Sequence, residues 1–297
     1  MGSTRTPREA AAQDSHVEPF EGNMLMSAPN AIKPQNLYRL IGTPDAPCLI
    51  DVTSDIDFNE DPFLLPTAER CCFLDHEQLR SFALRAVERG RKVVIICQKG
   101  KKLSQGAAAR LRAEGLAAQY LHGGNQGWRE AGLPRLSASR LPPRGQAWVT
   151  RQRPKIDRIA CPWLIARFID RDASFMFVET AAVLDVAEKF SAIAFDAKNA
   201  EFSHTRSGST FSHLLEYFSL DIPALSRMSD IITAADLGHI ESVPEAAGLF
   251  AISIGLSRQF KDDNHQLAAA LPIYDALFRW ARDGTQETHS SQFGEAS

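Results

Sequence analysis

Cysteine is scarce in this chain, with five in 297 residues. So sparse and odd a count does not fit a small secreted domain built on disulfides, and it points to reduced thiols in a cytosol-like compartment. Long apolar runs are lacking too. No stretch reaches the roughly 18 uninterrupted apolar residues of a membrane helix, and the first thirty residues hold no signal-peptide core. Charge of one sign is not in excess, since 33 Lys and Arg face 36 Asp and Glu. A basic nucleic-acid binder is thereby disfavoured. There is no Cys-x-x-Cys pair and no internal repeat. What the chain does have is 44% hydrophobic residues, enough for real cores over one large or two ordinary domains.

One break in composition stands out, GLPRLSASRLPPRGQ at 132–146, with three prolines and no amphipathic period. It divides the chain into a flexible leader at 1–29, a domain at 30–136, a linker at 137–146, a domain at 147–282 and a flexible tail at 283–297. The first domain alternates strand and helix. Cys48–Val52 and Lys92–Cys97 are short, β-branched and bounded by turn residues, as buried parallel strands are. Asp75 can cap a helix reaching about Arg89, and a second helix is expected from Ser104 to Gly115. A strand at 118–121 then leads to His122-Gly123-Gly124 and a helix carrying Trp128. The pattern predicts an α/β fold, a parallel sheet with helices on both faces.

Cys97 ends a central strand of that sheet, where open α/β folds place their ligand crevice. The backbone of Gln98, Lys99, Gly100, Lys101 and Lys102 can curl so that its N–H groups converge, and the next helix aims its positive end at the same point. With three lysines added, Cys97 is expected to be a nucleophile able to hold a persulfide, in a cradle fit for an oxyanion. Cys48, Cys71 and Cys72 are expected to be packing residues.

Residues 30–136 resemble a rhodanese domain of the single-domain sulfurtransferase type. The matching pieces are Leu49-Ile50-Asp51-Val52, the loop Cys97–Lys102, the helix from Ser104 to Leu111, and His122-Gly123-Gly124 with Gly127-Trp128. The resemblance implies a sulfurtransferase that moves sulfane sulfur from a thiosulfate-like donor to a thiol acceptor. Cys97 would be the persulfide carrier, 98–102 its anion loop with Lys102 in the usual arginine position, and Asp51 and Ser104 supporting residues. Two features depart from the pattern. Thr53 stands where an arginine is common, and Leu103 lengthens the interval before Ser104 by one residue.

The second domain reads as an α-rich α+β unit. Trp148–Thr150 is a short strand, followed by the one strongly basic run, Arg151–Arg158. Pro154 suits a helix start, and Cys161-Pro162 suggests a kink or bulge in that helix. Strands are expected at 175–178 and 192–195, and helices at 209–219, 244–258 and 265–282. Arg151, Arg153, Lys155 and Arg158 offer a receptor for a tetrahedral oxyanion. Glu201 and His204, at i, i+3 spacing, could join Asp236 around a divalent metal.

The segments WVTRQRPKIDRIACPWLIARFID, FDAKNAEFSH, TAADL and PEAAGLFAISIGLSRQF resemble the C-terminal domain of the chromate-resistance protein B family, over about 147–282. That resemblance implies a link to chromate detoxification or sensing. The whole chain then reads as a cytoplasmic sulfurtransferase joined to a chromate-resistance domain, with neither nucleic acid nor membrane as partner. The alternative is a non-catalytic sensor or scavenger of chromate or a related oxyanion.

Overall fold

The computed structural model describes Met1, residues 30–205 and residues 208–287. The leader beyond Met1 and the tail beyond residue 287 fall outside the described residues.

The first half runs β1 (Ala31–Ile32), α1 (Pro34–Tyr38), β2 (Cys48–Asp51), α2 (Asp55–Glu60), β3 (Phe63–Leu64), β4 (Glu69–Arg70), α3 (His76–Glu88), β5 (Val93–Ile96), α4 (Lys102–Ala113), β6 (Ala118–Leu121), α5 (Gly124–Glu130) and β7 (Leu136–Ser137). Five of these strands form one sheet in the order β1-β6-β5-β2-β4, parallel at every pairing. The other two, β3 and β7, pair antiparallel beside it. In the middle strand, β5, all four residues are buried, as a parallel strand covered on both faces requires.

Alternation along the strands sorts the sheet's two faces. Val93, Ile95, Ile50, Val52 and Ala118 pack with Leu79 and Ala83 of α3 and with Ala108 and Leu111 of α4. Val94, Ile96, Leu49 and Leu121 turn the other way, toward Leu37, Ile41 and Trp128. The caps follow local chemistry: Asp75 accepts the Gln78 N–H at 2.9 Å to open α3, as the sequence predicts. Helix α4 starts at Lys102, two residues ahead of the expected Ser104, so Leu103 lies within its first turn.

The second half runs β8 (Ala147–Arg151), α6 (Asp157–Leu164), β9 (Ser174–Val178), α7 (Val183–Lys189), β10 (Ile193–Ala194), α8 (Thr210–Tyr217), α9 (Pro223–Leu237), α10 (Pro244–Gln259) and α11 (Asp263–Arg279). A parallel three-stranded sheet, β10-β8-β9, backs the helices. Helix α6 starts at Asp157, not Pro154, because Arg153 and Ile156 adopt positive φ and break the chain direction there. The irregularity expected near Cys161-Pro162 is a π-helical turn at Ile165–Ile169, directly after α6.

The two halves share a core. The sheet face that carries Leu49, Val94 and Trp128 continues into Trp148, Trp163, Phe168 and Phe278 without a break. A Cβ on Gly42 would collide with the Phe168 and Phe278 rings. Around this seam the Thr67 N–H donates to the Phe168 carbonyl at 3.1 Å, and Arg171 donates to the Ala46 carbonyl at 2.7 Å. Residues 137–146 lie along it. Arg144 reaches Glu69 at 2.7 Å on one side and Asp172 at 3.0 Å on the other.

Candidate functional site

Two side-chain clusters stand out, each at the carboxyl end of a parallel sheet.

The first surrounds Cys97, directly after β5. Its thiol is almost fully buried and donates to Ser104 Oγ at 3.1 Å, in the first turn of α4. A cavity of about 480 Å³ opens over it, lined by Asp57, Cys97, Gln98, Lys99, Lys101, Lys102 and Leu103. Every residue of the expected loop except Gly100 lines this space. Gly100 lies beneath it, because the loop rests on the backbone of the next turn. With φ of +62°, a Cβ there would stand 2.5 Å from the Leu121 carbonyl oxygen and 2.6 Å from the Gly124 nitrogen. Gly124, at φ +61°, has no room either, since its Cβ would overlap the Cys97 carbonyl. The glycine pair after β6 is thus the floor on which the cysteine loop sits. Asn125 and Gln126 then donate their N–H groups to the Cys97 and Gln98 carbonyls at 3.1 and 3.0 Å.

Asp51 supports this floor from below, fully buried at the end of β2. It accepts the Thr53 N–H at 2.8 Å and Asn125 Nδ2 at 2.9 Å. Burial pushes its carboxyl above the ordinary range, opposed by those hydrogen bonds. Thr53 is buried in the same network, its hydroxyl taking a second bond from Asn125 at 3.1 Å. Arg70 stacks on the Phe58 ring and pairs with Asp55 at 2.8 Å, fixing α2 so that Asp57 forms one wall of the cavity. Sequence reasoning missed Asp57 and Asn125; His122-Gly123-Gly124-Asn125 carried the signal for the latter.

Of the other thiols, Cys71 and Cys161 are buried, whereas Cys72, expected in the core, is exposed. Its neighbour takes the inward position of the extended segment. Burial raises the Cys71 thiol to about 11, and it drives Cys161, next to Asp157, well above the ordinary value.

The second cluster gathers where β8, α6, the turn after β10 and α9 meet. Asp157 opens α6 and also receives the Thr210 and Phe211 N–H groups, the latter at 2.9 Å, so one carboxylate serves two helix N-termini. Asp196 adopts φ of +46° in a tight turn, and its N–H donates to the Phe202 carbonyl at 2.8 Å. That return brings His204 back over it. His204 Nε2 lies 2.9 Å from Asp196, 3.3 Å from Asp157 and 3.4 Å from Asp236. Bonds to Asp157 and Asp196 raise its pKa to about 10. Asp236 is raised to about 6, chiefly by burial and then by Asp157. Burial also pushes Asp196 up, but its bonds to His204 and Arg151 outweigh that and hold its carboxyl below the ordinary range.

The expected residues are redistributed here. His204 and Asp236 meet, but Glu201 is exposed and does not join them; Asp157 takes its place. The reason is local. Residues 201–205 form no helix, and Phe202 bridges to Phe195 while packing on Trp148 and Tyr217, so i, i+3 spacing does not put Glu201 on the side of His204. The basic run divides as well. Arg151 and Arg158 both bind Asp196, at 3.0 and 3.1 Å, whereas Arg153 turns to the Ser257 and Phe260 carbonyls and to Asp263. Lys155 makes no ion pair among the described residues. Asp262, Asp263 and His265, close together in sequence, form a helix start, with Asp262 accepting the His265 N–H at 2.8 Å. Asp157 was the missed member. Its signal was being the one acid inside the basic run.

The all-parallel sheet with helices on both faces, and a cysteine loop at its carboxyl edge, form an α/β domain joined to a helix-rich one. Residues 148–281 match the family model described as ChrB, C-terminal domain. Protein ChrB of Cupriavidus metallidurans is 35% identical over 136 residues. The match takes in 45% of this chain and 40% of that relative. Among solved structures, a rhodanese-related protein from Thermoplasma volcanium aligns over 36% of this chain and 97% of its own, at 22% identity and a TM-score of 0.30. A thiosulfate sulfurtransferase from Pseudomonas aeruginosa aligns over 36% of this chain and 19% of its own, at 27% identity and a TM-score of 0.30. No helix among the described residues is long and apolar enough to cross a membrane.

Proposed function

We propose that the chain is a cytoplasmic rhodanese-type sulfurtransferase whose Cys97 carries sulfane sulfur in the service of chromate resistance. The observation that carries this reading is the placement of Cys97 at the floor of a cavity of about 480 Å³ whose lining includes Lys99, Lys101 and Lys102. Cys97 sulfur attacks the outer sulfur of a thiosulfate-like donor; the donor's S–S bond breaks and sulfite leaves with the electron pair. The resulting Cys97 persulfide is held by the loop's N–H groups, the helix end and the lysines. An acceptor thiolate then attacks the terminal sulfur, takes it as its own persulfide, and returns Cys97 with its electron pair. No external oxidant or reductant is consumed.

In the second half, Arg151, which lines a cleft with Lys198 and shares Asp196 with Arg158, would receive chromate or a related oxyanion together with them. Arg153 is engaged by the Ser257 and Phe260 carbonyls and does not face this cleft.

The test is thiocyanate formation from thiosulfate and cyanide by the full chain, with mass spectrometry of the peptide containing Cys97. Turnover that C97A abolishes, and one added sulfur on Cys97, are the expected results; unchanged turnover in C97A sinks the proposal. A second reading, a sensor or scavenger without turnover, is favoured by the same lysines, which suit stoichiometric capture of an oxyanion. Calorimetry with thiosulfate, sulfate and chromate that gives binding without turnover would select it.

A further inference from the structure

Three carboxylates aim at one imidazole nitrogen in the second half. An Nε2 atom carries at most one hydrogen, yet His204 Nε2 faces Asp196 at 2.9 Å, Asp157 at 3.3 Å and Asp236 at 3.4 Å. One N–H cannot point at all of them. Arg151 and Arg158 are the only other cations paired within the cluster among the described residues, and both are on Asp196. Among the described residues Asp157 and Asp236 therefore pair directly with the imidazole alone, Arg158 acting on them only from a greater distance.

Donor geometry separates the four side chains in the same way. One donor atom each from Asp157, His204 and Asp236 lies within 4.8 Å of the others. Ligands at about 2.1 Å from a single ion lie at most about 4.2 Å apart, so at most a small inward shift of the side chains brings these three donors onto one ion. Asp196, with one oxygen held by two guanidinium groups, already has its charge matched, and the bond its other oxygen makes to His204 Nε2 is exchanged for the ion. The three donors come from different elements: the start of α6, the return segment after Asp196, and the last turn of α9. Asp157 is fully buried and fixed by the Thr210 and Phe211 N–H groups, so its position does not depend on an ion. His204 borders a cleft of about 350 Å³ together with Arg151, Lys198, Asn199 and Ser203, which gives an ion access and leaves room for a further ligand.

We propose that Asp157, His204 and Asp236 bind a first-row divalent metal ion, His204 through Nε2, with the remaining coordination positions facing the cleft. The donor set is one imidazole and two carboxylates, which suits Mn²⁺, Fe²⁺, Co²⁺ or Zn²⁺ better than Ca²⁺. Cys161 is not a ligand, since its sulfur is turned to Asp157 Oδ1 at 3.6 Å inside the core. The site stands apart from the sulfur chemistry at Cys97 and can succeed or fail without it.

The full chain, prepared without a histidine tag and stripped with EDTA, is titrated calorimetrically with MnCl₂ and ZnCl₂, and its visible spectrum is followed with CoCl₂. Binding at one site, with cobalt d–d bands, is expected. D236N and H204Q should each weaken it at least about tenfold, and E201A should leave it unchanged. Thermal melts in EDTA show whether each variant is folded. Failure of the wild-type chain to bind any of the three ions overturns the proposal, as does binding unaffected by both H204Q and D236N. The protonated His204 would then be a structural ion-pair centre.

Discussion

Ser104 Oγ stands 3.1 Å from Cys97 Sγ, so the first turn of α4 presents a hydroxyl to the sulfur as well as its N–H groups. Ser104 is fully buried and small, so Ser104→Ala should leave the fold standing. A hydrogen bond of about 1 kcal/mol that is needed in sulfur transfer corresponds to a rate loss of roughly fivefold. Thiocyanate formation by S104A should fall by about that factor while its urea midpoint moves little. Full turnover in S104A would mean that the hydroxyl only fills space.

Two glycines of the same backbone class should behave differently. Gly124 has φ of +61° and no room for a Cβ, whereas Gly90 has φ of +67° and nothing within 4 Å. Gly90→Ala should cost about 1 kcal/mol of unfolding free energy, from backbone strain alone. Gly124→Ala adds a collision with the Cys97 carbonyl and should cost at least about 3 kcal/mol, with loss of sulfur transfer. Equal midpoints in denaturant for the two variants would contradict the packing of the glycine floor.

Acid–base behaviour of the metal-free protein should carry the mark of the second cluster. His204 is raised from 6.5 to about 10, so its contribution is complete below about pH 6.5 and is lost as pH climbs toward 10. Asp236 is raised from 3.8 to about 6, so it too costs stability as pH rises, over an earlier window. Chemical denaturation of EDTA-treated protein should therefore show stability falling from pH 6.5 to 10, with a shallower slope in H204Q. An unchanged slope in that variant would place the titrating group elsewhere.

Arg144 joins the halves through Glu69, Asp172 and the Thr67 carbonyl. Arg144→Ala leaves Glu69, which is largely buried, with the partly exposed Arg85 as its remaining cation, and should cost about 2–3 kcal/mol. Calorimetry should show one unfolding transition for the wild-type chain, because its apolar core crosses the seam. Two transitions in the wild type would deny that coupling.

Residues that act through neighbours in sequence were legible without a structure. Cys97, Gly100 and the lysines lie within one loop, and β5 announces itself by four consecutive apolar residues. Asp75 and Gln78 state a helix cap in local chemistry alone. What escaped depends on long-range geometry. Asp57 reaches the cavity only because Arg70, on another strand, pins α2. Glu201 looked like a partner for His204 on the premise of a helix, and the burial of Phe202 against Trp148 and Tyr217 removes that premise. Asp157 sat in a run read as cationic, and only the arrival of α8 shows why an acid stands there.

The unbroken core has a practical consequence for anyone dissecting this chain. A fragment cut at the proline-rich stretch would carry Leu37, Ile41, Trp128 and their neighbours as a bare oily wall, and the other fragment would carry Trp163, Phe168 and Phe278 likewise. Each piece should clump or borrow a partner rather than report on its own chemistry. Swapping in a foreign sulfurtransferase module would require redesigning that wall, so point substitutions in the intact chain are the sound way to separate the sulfur loop from the histidine cluster.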